Sequence, residues 1–385
     1  MGGGMNAADA NLKANQVMLS QLGYNVFTVP QNEQLIGTNG KLNPHATLGR
    51  TYEWNGEKYY MTADDWNKAA YKNALRQDYT ISIKGSTDRS SFYTSLGYLS
   101  DDGVIDNSSY ERVSARLKAD YQAKKWLKVG VNAQYVHSDT KSNPNLSSET
   151  DATNLMYFVS SIAPIYPIYV RTVDANGKPV IKTDANGHEM YDYGNPKYYG
   201  VNRPFISNGN PLGANRYNKV ESGFNQINGS VFADIKFAEW LKFNATSTII
   251  YDMTDFSDYQ NAYEGPKQGV NGELTKKNTA DLRTNNTQTL TFMKSFGKHS
   301  FDALLGHEYY KLTRKYLLGE AEGGFSPSIT ELNAFANKKN NGSYKLNYNV
   351  EGFFGRAQYN YDDKYFASAS YRRDASSRFA KENRW

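Results

Sequence analysis

Residues 113–135 read VSARLKADYQAKKWLKVGVNAQY. Val113, Ala115, Leu117, Ala119 and Tyr121 alternate with Ser114, Arg116, Lys118 and Asp120. After a polar break at Gln122–Lys125, Leu127, Val129, Val131, Ala133 and Tyr135 alternate with Lys128, Gly130, Asn132 and Gln134. A period of two is the mark of a strand with one apolar and one polar face, because successive side chains point to opposite sides. Two such runs across a short turn predict an antiparallel hairpin.

The pattern recurs. Ile227, Val231, Ala233, Ile235 and Phe237 face away from Asn228, Ser230, Asp234 and Lys236. Leu241, Phe243, Ala245 and Ile249 oppose Lys242, Asn244, Thr246 and Thr248. Weaker versions run through 79–85, 92–99, 288–296, 301–310, 344–361 and 364–371, so about ten strands are expected. Several run roughly 9–11 residues, the length that crosses a bilayer at a tilt near 45°.

The connections are asymmetric. Short turns are predicted at Ser86–Ser90, Gln122–Lys125, Ala238–Glu239, Gly297–His299 and Asp362–Asp363. Long connections are predicted at 138–222, 252–286 and 313–343, with one short link at 100–111. Tight turns at one end and long loops at the other are the outer-membrane barrel pattern. Connections that long are improbable in a compact soluble domain. The expected fold is therefore all-β, an antiparallel transmembrane β-barrel segment. In such a barrel the polar face lines the lumen. That assigns Arg116, Lys118, Asp120, Lys128, Asn132, Gln134 and Lys242 to the lumen, where they could tune solute passage or pair with one another. Trp126, Trp240, Tyr359 and Tyr365 sit near strand ends and read as interface aromatics, the alternative being cross-strand ring pairing.

Composition narrows the classes. The 385 residues hold 31 Tyr, 18 Phe and 5 Trp, yet only 39% are hydrophobic. Mean hydropathy is −0.71. The aromatic content argues against disorder. The apolar stretch Leu155–Val170 contains two prolines and two serines, which excludes a spanning helix there. Net charge is +5 and scattered, so nucleic acid is not expected as a partner. Cysteine is absent, which removes disulfides, thiolate metal sites and a cysteine nucleophile. The five histidines show no metal spacing, and neither HExxH, GxSxG nor GxxxxGK[ST] occurs. No metal, no cofactor and no catalytic residue are expected, and the chain is not expected to be an enzyme. The opening MGGGMNAADA carries no signal-peptide pattern.

The non-strand regions have their own signals. Asn6–Leu22 and Asp64–Arg76 are predicted as helices, the second capped by Asp64. Asp151–Ile162 is a third, with Leu155, Phe158, Val159 and Ile162 on one side. Val170–Val173, Lys178–Lys182 and His188–Tyr193 flank two copies of Asp-Ala-Asn-Gly and read as a small three-stranded meander. The copies lack the spaced ligands and closing Glu of a calcium loop. Four regions follow: 1–78, an extracellular loop region with short helices; 79–137, barrel strands; 138–222, a long extracellular loop with a short helix and a small meander; and 223–385, barrel strands and extracellular loops, truncated at the C-terminus. The loops gather Trp54, Tyr59, Tyr60, Tyr191, Tyr193, Tyr198, Tyr199, Tyr259 and Tyr263. Flat rings beside amides suit stacking on sugars or peptides; rings packing the loops together is the plainer reading.

Two segments carry a family resemblance. Asp78–Tyr135 includes the GYLSDDG segment at 97–103 and the WLKVG strand start at 126–130. Phe353–Trp385 includes FFGRAQYNYDDKY at 353–365 and RRDASSRF at 372–379. In this order they resemble SusC/RagA-type TonB-linked outer-membrane transporters. The resemblance implies a barrel of about 22 strands in bacterial outer-membrane lipid, plugged by an N-terminal domain. It implies import of oligosaccharides or oligopeptides, energised by the TonB complex through a part outside this chain, with a SusD-like lipoprotein capping the mouth. On that reading the chain is one arc of the barrel with its loops. A passive, plugless porin of about ten or twelve strands and a soluble surface glycan-binding β protein are the alternatives.

Overall fold

The computed structural model describes residues 24–142, 154–203 and 206–385. Four short strands come first: β1 (Phe27–Thr28), β2 (Thr47–Leu48), β3 (Arg50–Trp54) and β4 (Glu57–Met61). Then come β5 (Arg76–Ser86), β6 (Ser90–Asp102), β7 (Ser109–Lys124) and β8 (Leu127–Ser142). Two short strands, β9 (Arg171–Val173) and β10 (Pro179–Ile181), interrupt the series. It resumes with β11 (Lys219–Ala238), β12 (Leu241–Gln260), β13 (Glu273–Phe296), β14 (His299–Gly324), β15 (Phe335–Tyr361) and β16 (Tyr365–Ser376). Three short helices are α1 (Trp66–Ala70), α2 (Leu155–Ser161) and α3 (Pro211–Tyr217).

Ten strands form one antiparallel sheet in the order β5-β6-β7-β8-β11-β12-β13-β14-β15-β16. Because β11 pairs directly with β8, from Val220 opposite Ser142 to Ile235 opposite Leu127, the stretch between them is an insertion. At one end the strands turn tightly. Asp362 and Asp363 have φ of 54° and 53°, and Gly297 has 59°. Paired left-handed residues twist a hairpin the way its strands twist.

The register runs one apolar face across the sheet. Leu117 lies opposite Ala133, Val131 opposite Val231, Phe243 opposite Leu290, and Leu290 opposite Leu305. Many of these side chains are exposed, including Ile81, Ile83, Leu96, Leu117, Val231 and Leu305. Exposed apolar residues in a continuous band need a non-aqueous surround. On β12 the ten steps from Leu241 to Tyr251 span roughly 33 Å along the strand. At a tilt near 40° that is about 25 Å of height, the apolar band of an outer-membrane barrel.

The strands exceed the expected 9–11 residues. β13, β14 and β15 have 24, 26 and 27 residues. Most of the predicted loops at 252–286 and 313–343 is strand, and the connections shrink to 261–272 and 325–334. The cause is physical. Beyond the hydrocarbon both faces of a strand meet water, so alternation lapses while the hydrogen-bond ladder continues. KKNTADLRTNN at 276–286 and NKKNNGS at 337–343 are of this kind.

The insertion and the N-terminal segment share a core. Tyr24, Val26, Tyr59, Met61, Trp66 and Ala70 pack with Leu155, Phe158, Ile168, Val170, Tyr191 and Tyr199. β9 pairs with both β10 and β4, giving a four-stranded sheet β10-β9-β4-β3. The expected third meander strand at 188–193 is reduced to bridges, Thr183 with Glu189 and Tyr169 with Tyr191. The hairpin from 50–61 completes the sheet instead.

The helices differ from expectation in extent. α1 covers five residues and is capped by Asp65, whose carboxylate accepts the Lys68 N–H at 3.0 Å. Asp64 is otherwise engaged: Arg171 donates to it at 2.9 and 2.6 Å, and the Ile168 N–H at 2.8 Å. α2 begins after Asn154, whose side chain accepts the Met156 and Tyr157 N–H groups. Leu155, Phe158, Val159 and Ile162 are all buried, as the spacing predicts. The predicted helix at 6–22 lies outside the described residues. α3 was not expected, although Asn210-Pro211 is a cap followed by proline at the first helical position.

Candidate functional site

The polar face is assembled by register. Arg116 lies opposite Gln134, Lys118 opposite Asn132, and Lys128 opposite Asp234. Lys242 lies opposite Lys236. All seven residues assigned to the lumen from sequence therefore share the face opposite the apolar band. Asp120 takes a 2.8 Å ion pair from Lys128 and a hydrogen bond from Ser91. Arg116, Lys118 and Lys242 make no ion pair among the described residues.

Farther along the same face is a network that the sequence did not reveal. Asp281 is 4% exposed and accepts from Arg314 at 2.7 and 2.6 Å and from Arg283 at 3.2 Å. Arg283 also pairs with Asp252 at 2.8 Å, which accepts from Gln226 at 2.8 Å. Arg372 bridges Glu308 and Asp374 at 2.9 and 2.8 Å. Forked guanidinium contacts of this kind fix side chains that would otherwise be mobile. The cross-strand partners are 26 to 64 residues apart in chain order, so only the register shows them.

The interface aromatics gather at the tight-turn end. Trp126 and Trp240 occupy the β7–β8 and β11–β12 turns, both exposed. Trp240 packs edge-on against Phe292 at 5.5 Å, with Lys294 over its ring. Tyr359 and Tyr365 lie in the register of the apolar face, and the Tyr359 hydroxyl is 2.7 Å from His299 Nδ1.

The nine loop aromatics divide. Tyr59, Tyr191, Tyr193, Tyr198, Tyr199 and Tyr259 are buried. Tyr59 meets Tyr198 and Tyr199 at 5.9 and 5.7 Å, and Tyr24 meets Tyr199 at 5.7 Å. Tyr59, Tyr191, Tyr193, Tyr198 and Tyr199 pack the core shared by the insertion and the N-terminal segment, which together form an outward cap, whereas Tyr259 packs with Leu274, Ala321 and Phe335 at the far ends of the long strands. Trp54 is exposed and lies over Gly200, whose φ of 70° leaves the backbone flat beneath the indole. Tyr60 is half-buried. Tyr263 is half-buried and stacks on His188 at 4.3 Å, tying the β12–β13 connection to the cap.

Two acids in this outer region are perturbed. Asp192 is 1% exposed; burial raises its pKa to about 6 against the pull of Arg203. It accepts from the Tyr24 hydroxyl at 2.9 Å and the Gly194 N–H at 2.8 Å. Burial likewise raises Glu264 to about 7, with Lys197 opposing and Asp184 reinforcing. The described residues contain no group of three or more His, Cys, Asp or Glu suited to a metal ion. A cleft of about 1010 Å³ crosses the far ends of the strands. Glu111, Asp139, Glu221, Asp255 and Lys276 line it in the register of the apolar face, beyond the band.

No protein-family model matches the chain. Among curated proteins it is similar to TonB-dependent receptor P3 of Formosa agariphila, 25% identical over 326 residues, covering 83% of this chain and 30% of the relative. It is also similar to TonB-dependent receptor SusC of Bacteroides thetaiotaomicron, 26% identical over 336 residues, covering 83% and 31%. The chain spans about a third of the length of the curated relatives it matches. Among solved structures, the RagAB peptide importer in a closed-closed state superposes with a TM-score of 0.63 at 21% identity, over 87% of this chain and 35% of that one. A structure of the RagAB peptide transporter gives 0.62 at 22%, over 84% and 34%. The resemblance to SusC/RagA-type TonB-linked transporters is borne out, as are the transmembrane β-barrel segment and the outer-membrane location.

Proposed function

We propose that this chain forms a strand arc and outward cap of a TonB-dependent importer for oligosaccharides or oligopeptides, working with a SusD-like surface lipoprotein. The observation that carries the reading is the division of ten strands into an apolar band and a charged face. Lipid of the outer membrane covers the band. Arg116, Lys118 and Lys242 offer unpaired charge to a solute, and the Asp281–Arg314 network holds the outer lumen wall in shape. The cap lies at the end opposite the tight turns, where a substrate arriving from outside would meet it. Trp54, Tyr60 and Tyr263 are the loop rings with surface left for a ligand or for the lipoprotein; the five buried tyrosines of the cap are their scaffold. The role is transport and not catalysis: the curated relatives are receptors, and the sequence holds none of the hydrolase motifs sought.

Uptake by cells carrying the full-length receptor tests this. Labelled oligosaccharides and oligopeptides are offered with and without the neighbouring lipoprotein, and with the proton gradient intact or collapsed. Uptake of one class that falls when the gradient collapses supports the proposal. Uptake that persists without the gradient marks a passive porin. Recovery of the receptor in the soluble fraction removes both membrane readings.

A further inference from the structure

Just beyond the apolar band, β14 and β15 carry three lysines on the lipid-side face. Lys315 lies directly opposite Lys345, and Lys311 lies opposite Asn349 four residue pairs nearer the bilayer on the same face. All three are exposed, and none makes an ion pair or hydrogen bond among the described residues. Their neighbours give them little compensation. Lys315 faces Ala280 on β13, and Lys311 faces Thr284. The nearest acids of that face are engaged elsewhere: Glu351 with His307 at 3.0 Å, and Asp255 with Asn278. Like charges directly opposite on adjacent strands destabilise the pair. An arrangement of this kind persists at low cost where an anion lies between the charges.

The height identifies the anion. On β14 the band runs Phe301, Ala303, Leu305 and gives way to polar residues at His307. On β15 it ends at Phe353, with Glu351 next. Lys311 stands 13 residues beyond the Gly297–Lys298 turn, roughly 33 Å up at the barrel tilt. That is about 8 Å past a 25 Å band, at headgroup level. Lys315 and Lys345 stand four residues, about 10 Å, farther out, the depth of a sugar headgroup. Thr313 and Asn347, hydrogen-bonded to each other at 3.1 Å, lie between that pair and Lys311 in register, and Asn349 lies opposite Lys311. We propose that this patch docks the phosphorylated saccharide headgroup of an outer-leaflet glycolipid, the lysines taking phosphate and the amides taking sugar hydroxyls. The assignment is independent of what the lumen transports.

The test uses the full-length receptor in phosphatidylcholine nanodiscs doped with the phosphorylated glycolipid or its dephosphorylated form. Glycolipid retained per receptor is counted by mass spectrometry after dilution. The variant Lys311→Gln/Lys315→Gln/Lys345→Gln is expected to retain on the order of a hundredfold less, since each of the three basic residues near an anionic surface is worth about 1 kcal/mol. Lys125→Gln/Lys364→Gln, at the opposite end of the strands, is expected to match wild type. Lys315→Glu alone is a second probe. It converts the like-charged pair into an ion pair, so the strands hold while the headgroup is repelled. Heat-modifiable mobility reports folding for every variant. Equal retention by wild type and the triple variant overturns the proposal. So does equal retention of the dephosphorylated glycolipid, and so does displacement by millimolar inorganic phosphate, which would make this a free-anion site.

Discussion

Val131 and Asn132 are neighbours in the chain and sit at one height in the sheet, yet they should respond oppositely to charge. Val131 lies opposite Ala119 and Val231, on the apolar face. Asn132 lies opposite Lys118 and Ser230, on the polar face. Val131 is five residues beyond the turn that ends at Trp126, which at 3.3 Å per residue and a tilt near 40° is about 13 Å. That is the middle of a 25 Å band. A lipid-facing arginine at the midplane costs about 2–4 kcal/mol. Val131→Arg should therefore lower the folded-to-unfolded ratio by roughly thirty-fold to several hundred-fold. Asn132→Arg meets water and Lys118, a like-charge pairing worth about 1 kcal/mol or less. The assay is urea titration of the full-length receptor refolded into lipid vesicles, scored by the fraction of heat-modifiable band. Equal destabilisation by the two variants, or a larger loss at 132, would falsify the assignment of faces.

Four further outcomes are expected. Phe158 is fully buried in the cap core, so Phe158→Ala should cost about 3–5 kcal/mol locally, read as faster proteolysis of 154–217 with the barrel band intact. Gly200→Ala should loosen the same unit, because its φ is 70° and a Cβ would stand 2.5 Å from the Trp54 ring; a protease profile identical to wild type would contradict that placement. Arg314→Ala strands the buried Asp281 with only Arg283, and a loss of about 3 kcal/mol is expected, largely restored by Asp281→Asn in the double variant. The fourth outcome concerns pH. Asp192 and Glu264 have folded-state pKa values raised to about 6 and about 7, so the folded cap binds more protons than the unfolded chain. Their contribution is fully present below the unfolded carboxylate range and is lost as pH rises through 6 to 7. Protection factors in the cap, with the intrinsic base-catalysed rise of exchange divided out, should fall between about pH 4 and pH 7. Glu264→Gln should flatten part of that slope.

The barrel strands were legible where one face touches hydrocarbon, because lipid enforces strict alternation. From Val113 to Tyr135 the two faces and the turn follow from the pattern alone. Legibility ends where the bilayer does. The outer halves of β13 and β15 read as loops, since a strand solvated on both sides has no apolar period to keep. The cap was partly legible: the α2 core positions followed from 3.6-residue spacing. Its sheet did not, because β4 joins β9 across more than 100 residues and nothing local announces the partner. The Asp281–Arg314 and Glu308–Arg372 pairs were hidden for the same reason. The tyrosines of the cap show the limit of composition. A ring rich in contacts looks alike in sequence whether it meets a ligand or another ring, and only burial separates Tyr199 from Trp54.

The central claim is that this segment is an arc of a larger, outward-capped barrel in the outer membrane. An antibody to the exposed part of 166–200, applied to outer-membrane fractions with and without boiling, tests it directly. The account predicts a heat-modifiable band far above the 43.4 kDa of this chain, with the epitope accessible on intact cells. A soluble band of 43.4 kDa, or an epitope hidden until the cells are broken, would contradict it.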